Sequence, residues 1–236
     1  MIAGLQKMTL LDFPGKVACT VFLQGCNFRC PFCHNSLLLG KAEQPPICRE
    51  ELLEFLRKRQ GILDGVCITG GEPTLSPELE SLLSQIKALG FAVKLDTNGS
   101  HPERLKKLVY AGLVDYVAMD IKNSPARYRE TAGCAGLDIS KIEESMTFLM
   151  EGDIDYEFRT TVVQEFHTAE DIRSIVQWFG KLCPDREVKK YFLQPFVEND
   201  NVLSGGLHAP NTTDLLAFLD AAKSCVHNTE IRGVQL

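Results

Sequence analysis

One pattern governs this chain: short apolar, β-branched runs end in polar or glycine-marked loops and give way to stretches with helical spacing. Residues 17–23 run into Gln24-Gly25-Cys26, and residues 65–69 run into Gly70-Gly71-Glu72-Pro73. Ser76 and Pro77 then predict a helix cap and first helical position, and Leu79, Leu82, Leu83, Ile86 and Leu89 give that helix one apolar face. Residues 91–95 form the next strand and end at Asp96-Thr97-Asn98-Gly99. A helix opening at Pro102 and marked by Leu105, Leu108 and Val109 follows and stops at Gly112. Strands at 114–119, 156–163 and 191–193, with helices at 142–150, 169–179 and from about Thr213, continue the alternation. Such strand-then-helix units imply parallel strands joined by right-handed crossovers. Their polar segments gather at the strands' C-terminal ends, where barrels of this kind place their chemistry. The expected fold is α/β, a partial (β/α)6 TIM-like barrel of parallel strands with outer helices. Periodicity alone does not separate it from a flat doubly wound sheet.

The 236 residues are 44% hydrophobic and contain no Pro/Gly/Ser-rich break long enough to separate a pair of independent cores, so a single domain over 1–236 is expected. A formal charge of −6 argues against broad attraction to nucleic acid or anionic lipid, which leaves a protein as the expected large partner. No charged-then-apolar signal opens the chain, and no apolar stretch approaches the roughly 18 residues of a membrane span, so a cytoplasmic protein without membrane attachment is expected. The stretch 199–210, with Gly205-Gly206, reads as a mobile loop.

Nine cysteines are an odd number and too few for a disulfide scaffold of this length. Three of them crowd into Cys26-Asn27-Phe28-Arg29-Cys30-Pro31-Phe32-Cys33, with three and two residues between the thiols. Thiolates are soft, anionic ligands suited to iron–sulfur clusters. A four-iron cube held by Cys26, Cys30 and Cys33 would leave one iron open to a small molecule. A zinc site completed by His34, or simple buried thiols, are the alternatives at this point. Cys19, Cys48, Cys67, Cys134, Cys183 and Cys225 show no second cluster spacing and read as buried or incidental thiols. Phe32 is placed to pack beside a purine, and Gly70 and Gly71 to let backbone approach a ligand. Glu72, before Pro73, is placed to accept from a cationic amine.

Together, Cys26-x3-Cys30-x-Phe32-Cys33 and Gly70-Gly71-Glu72-Pro73 resemble the radical S-adenosylmethionine superfamily. Leu11-Asp12-Phe13-Pro14-Gly15, Phe22-Leu23-Gln24-Gly25-Cys26 and Cys33-His34-Asn35 narrow the resemblance to the activating enzymes of glycyl-radical enzymes. It is strongest to those serving anaerobic ribonucleoside-triphosphate reductase, with those serving pyruvate formate-lyase next. The resemblance implies a [4Fe-4S] cluster and S-adenosylmethionine as cofactors, a flavodoxin or ferredoxin as electron donor, and a glycyl-radical enzyme, anaerobic ribonucleotide reductase, as partner. It further implies that Asp96, Thr97 and Asp120 hold a monovalent cation, with Asn98 beside the cofactor, and that Lys122 reaches the cofactor carboxylate. Arg159 would lie near cofactor and substrate loop, and Asp12 and His34 would face the partner's glycyl loop. One departure is visible: Gln194-Pro195-Phe196-Val197 stands where the formate-lyase activases have a histidine, which weakens that subtype. A small-molecule substrate, as in deazapurine biosynthesis, and a non-catalytic iron–sulfur or zinc module remain as alternatives. Only the module predicts no cleavage of the cofactor.

Overall fold

The computed structural model describes residues 1–40 and 45–233. Its strands follow one another in chain order in a mostly parallel eight-stranded sheet, and the chain divides into two compact units.

The first unit comprises Met1–Asn27, Leu37–Thr97 and His101–Ala118. It opens with β1 (Ile2–Thr9), paired antiparallel to β2 (Ala18–Leu23). After α1 (Arg49–Arg57) comes β3 (Gly65–Gly70), parallel to β2; after α2 (Leu79–Ala88) comes β4 (Ala92–Thr97), parallel to β3. The helix α3 (Pro102–Tyr110) leads to β5 (Tyr116–Asp120). The predicted apolar face of α2 is real: Leu79, Leu82, Leu83 and Ile86 are buried, each contributing about 1.5–3 kcal/mol by leaving water.

Ser76 does not cap α2. Its amide closes a single 3-10 turn over Pro73–Leu75 by donating to the Pro73 carbonyl at 3.0 Å, and Glu78 holds the cap position of α2. The strand expected at 91–95 continues through Thr97, so Asp96 sits within β4 rather than in a turn beyond it.

The second unit comprises Phe28–Ser36, Asn98–Ser100 and Met119–Leu236. It holds α4 (Tyr128–Thr131), α5 (Ile139–Glu151), β6 (Asp155–Val162), α6 (Ala169–Leu182), β7 (Tyr191–Pro195), α7 (Thr212–Lys223) and β8 (Thr229–Ile231), with β6, β7 and β8 parallel. Thr168 starts α6 through a capping box: its hydroxyl accepts from the Asp171 amide at 3.2 Å, while the Asp171 carboxylate accepts from the Thr168 amide at 3.0 Å. The chain thus has six strand-then-helix units from β2 to α7, with β1 and β8 added at the two ends. None of its helices among the described residues is long and apolar enough to cross a membrane.

Candidate active site

In the first unit, the ends of β2 and β3 are joined backbone to backbone. Gly71 N–H donates to Leu23 O at 2.9 Å and Glu72 N–H to Gly25 O at 2.7 Å. Gly70 has φ +126°, and a Cβ at either Gly70 or Gly71 would overlap the backbone of Leu23 or Gly25. The sequence suggested that these glycines admit a ligand; what they admit in this unit is the chain leading into Cys26.

The same turn buries Glu72 at 1% exposure. Its carboxylate accepts from Thr74 N at 3.0 Å, from the Thr74 hydroxyl, and from the Thr97 hydroxyl at 2.8 Å. Glu72 and Thr97, singled out separately in the sequence, are therefore hydrogen-bonded partners, and Pro73 opens the 3-10 turn that brings Thr74 round. On β4, Asp96 accepts from the Lys94 ammonium, whose side chain is 2% exposed. Asp12 accepts from the Thr20 hydroxyl at 2.5 Å, in a loop held by the Thr9 hydroxyl, which accepts from the amides of Leu11 and Asp12.

In the second unit, Cys33 N–H donates to Cys30 O at 3.0 Å, placing these two thiols on one turn. Phe32 is buried between them, in contact with the Phe166 ring at 5.9 Å and the His167 ring at 6.2 Å. His167 in turn meets the Lys122 carbonyl at 2.9 Å, and burial pushes its imidazole below the ordinary value. His34 stacks on Phe196 at 5.3 Å with Nε2 2.6 Å from Val197 O. Further along, Ser36 Oγ donates to Asn201 O at 2.6 Å and Ser204 N–H to Pro31 O at 2.9 Å. The segment after β7 thus clasps the cysteine turn. Asn98 forms a side-chain turn, accepting from Ser100 N at 3.0 Å and Ser100 Oγ at 2.6 Å.

At the end of β5, Asp120 accepts from Lys122 Nζ at 3.0 Å and from Arg159 at 2.9 and 3.0 Å. Burial would push the Asp120 carboxyl up, but the Arg159 guanidinium and Lys122 ammonium outweigh it and hold the group at about 2. For Lys122, burial opposes the charge and Asp120 more than restores it, so its ammonium is held well above the usual range. Lys122 is no surface charge: its side chain is 15% exposed.

Three thiols within eight residues, beside buried Phe28 and Phe32, are a donor set that fits an iron–sulfur cluster. No three His, Cys, Asp or Glu side chains among the described residues are gathered as a single metal ion requires, and His34 is turned toward the Val197 carbonyl. None of the nine cysteines forms a disulfide. Of the six outside the motif, Cys19, Cys67 and Cys183 are buried as expected; Cys48 and Cys225 are exposed, and Cys48 caps α1 by accepting from Glu51 N at 3.4 Å. Sequence reasoning missed Lys94, Thr74 and His167. The available signal was Lys94 itself, a lone cation inside an apolar strand, two residues before Asp96.

A family model described as the Radical SAM superfamily matches residues 20–179. Along nearly its whole length the chain is similar to a protein of Methanocaldococcus jannaschii that carries the name of a glycyl-radical enzyme activating enzyme. That match is 31% identical over 242 residues and covers 99% of this chain and 96% of that one. The chain is also 35% identical over 131 residues to the pyruvate formate-lyase-activating enzyme of Clostridium pasteurianum, a match that spans 52% of each. Among solved structures, Streptococcus suis SuiB bound to S-adenosylmethionine shares the fold. Its TM-score is 0.69 at 13% identity, with 92% of this chain and 52% of that one covered.

Proposed function

This chain belongs to the radical S-adenosylmethionine superfamily, and from that premise we propose that it installs a glycyl radical on a partner enzyme, anaerobic ribonucleoside-triphosphate reductase. It is an enzyme of the glycyl-radical-activating kind, and its cofactors are the family's [4Fe-4S] cluster and S-adenosylmethionine. The observation that carries the activase reading is the match over 99% of this chain to a relative named for that activity. The Val197 departure from the formate-lyase pattern counts against formate-lyase as the partner.

A [4Fe-4S] cluster held here would supply the single electron for reductive cleavage of S-adenosylmethionine, the chemistry that would serve to remove a hydrogen atom from the partner's glycine. In this reading Cys26, Cys30 and Cys33 hold the cluster, and a flavodoxin or ferredoxin reduces it in the cytoplasm, where thiols stay reduced. Glu72, fixed by Thr74 and Thr97, offers a preoriented carboxylate to the cofactor's ammonium. The trio of Asp120, Lys122 and Arg159 carries one positive charge in excess and suits the cofactor's carboxylate. Phe32 and the Gly70–Pro73 turn shape the remainder of the cofactor site, with Asn98 beside it. Asp12 and His34 face the glycyl loop, and His34 owes its orientation to Phe196 and the Val197 carbonyl.

The test is anaerobic reconstitution with iron and sulfide, reduction, and addition of S-adenosylmethionine with and without the reductase. Expected are 5′-deoxyadenosine by chromatography and a glycyl radical signal in the reductase by electron paramagnetic resonance. Cleavage without that signal would defeat the choice of partner. A confirmed cluster without cleavage would defeat the enzyme reading, and Cys30→Ala, which removes one ligand, is expected to abolish cleavage.

A further inference from the structure

Lys94 is the least expected side chain in the first unit. It lies in the interior of β4, opposite Cys67 of β3 in the parallel register, and its side chain is 2% exposed. Burying an ammonium is costly unless an anion meets it. Here Nζ donates to Asp96 Oδ1, with Cys67 Sγ 3.9 Å from Nζ and 3.7 Å from the same carboxylate oxygen. A β-branched apolar residue would fill this strand position without that cost, so packing alone does not account for a lysine. What lysine brings is a compact point charge with rotatable donors on a flexible stem, close in size and charge to a potassium ion.

The resemblance implied a monovalent cation held by Asp96, Thr97 and Asp120. The side chains present do not fit an added ion. Asp96 already carries the Lys94 ammonium, the Thr97 hydroxyl donates to Glu72, and Asp120, within its own unit, carries both Lys122 and Arg159. A sodium or potassium ion placed on Asp96 would add a second positive charge to a nearly dry pair. We propose that the Lys94 ammonium replaces the monovalent cation, so that this chain binds S-adenosylmethionine without needing sodium or potassium. Lys94 is on this view a positioning residue, acting through Asp96. The proposal rests on the superfamily's use of S-adenosylmethionine and is independent of which partner is activated.

The experiment is calorimetric titration of S-adenosylmethionine into the anaerobically reconstituted protein. It is run in choline chloride and in sodium or potassium chloride at equal ionic strength, with 5′-deoxyadenosine formation followed in parallel. The wild-type affinity is expected to be the same in all three salts. Lys94→Ala is expected to lose at least about tenfold in affinity in choline chloride and to regain it, saturably, with potassium, sodium or methylammonium. Lys94→Arg is expected to keep most of the affinity without added cation. A merely structural lysine would give no saturable rescue. A wild-type affinity that rises saturably by more than about threefold with sodium or potassium would overturn the proposal, as would an unchanged Lys94→Ala affinity in choline. Should Lys94→Ala fail to fold by circular dichroism, the wild-type salt comparison decides by itself. No binding in any salt, with the cluster intact, would overturn the cofactor assignment and this proposal with it, whereas failure to radicalise the reductase would leave both standing.

Discussion

Two carboxylates at strand ends, Asp96 on β4 and Asp120 on β5, solve the problem of a buried negative charge in different ways. Asp96 pairs with Lys94, a residue of its own strand, and that pair is neutral and almost dry, with side chains 15% and 2% exposed. Asp120 meets two cations, Lys122 two residues on and Arg159 from β6, and its side chain keeps 33% of its surface open. The first arrangement sets an ammonium of the same strand against the carboxylate. The second sets two cations on one carboxylate at a wetter position, the arrangement that the proposed role of this trio toward the cofactor's carboxylate calls for. The difference teaches that acidic residues in similar sequence settings, Leu-Asp-Thr and Met-Asp-Ile, need not share a role.

Removing each carboxylate in turn breaks the comparison at its strongest points. Asp120→Asn removes the carboxylate that Lys122 and Arg159 share, and the arginine cannot shed its proton. Its expected cost in a urea titration is about 2–3 kcal/mol, less than the full penalty for breaking a buried pair from one side because the side chain is one-third exposed. Asp96→Asn removes the carboxylate that meets Lys94, and a lysine can escape by releasing its proton, so its cost is expected to be smaller, about 1–2 kcal/mol. If Asp96→Asn proves the more damaging change, the contrast between a neutral pair and an over-compensated carboxylate is wrong.

How much of this could be read beforehand depends on what punctuates the chain. The ends of β2 and β3 were legible because cysteine and glycine stand where the apolar runs stop, and the faces of α2 and α3 were legible because leucines recur at helical spacing. The strand β1 escaped notice because its middle residues are half-buried or exposed, which leaves no clean alternation to detect. The helix α1 was missed altogether, and its cap is Cys48, although cysteine is no cap signal. β8, three residues long, is too short to carry a pattern. At the site, the identity of the chemical groups was legible, but their partners were not. Glu72 with Thr97 is a long-range hydrogen bond set by the β3–β4 register, and His34 with Val197 depends on how the segment after β7 returns. Lys94 escaped for a physical reason: a lone lysine in a strand ordinarily points to water, and only the packed interior reveals that this one does not.

The finest test of the comparison is the acid limb of stability, because it reads the Asp120 trio without disturbing its packing. The carboxyl is held at about 2 against an ordinary value of 3.8, since Arg159 and Lys122 outweigh the opposing effect of burial. A carboxyl held down in the folded chain contributes stability that is fully present above pH 4 and is lost as the pH falls from there through about 2. Allowing for solvent screening of a side chain one-third exposed, the loss is expected to be about 1–2 kcal/mol. Lys122 shows the opposite sign: its ammonium is held up, so its contribution is present below its ordinary value of 10.5 and fades only at higher pH. Chemical denaturation of the cluster-free protein at successive pH values between 5 and 2 would expose the acid step, and the same series on Asp120→Asn should lack it. An identical acid slope in the two proteins would mean that Lys122 and Arg159 give Asp120 no net advantage in the folded chain. The excess positive charge would then have to be explained by the ligand it awaits rather than by the carboxylate it surrounds.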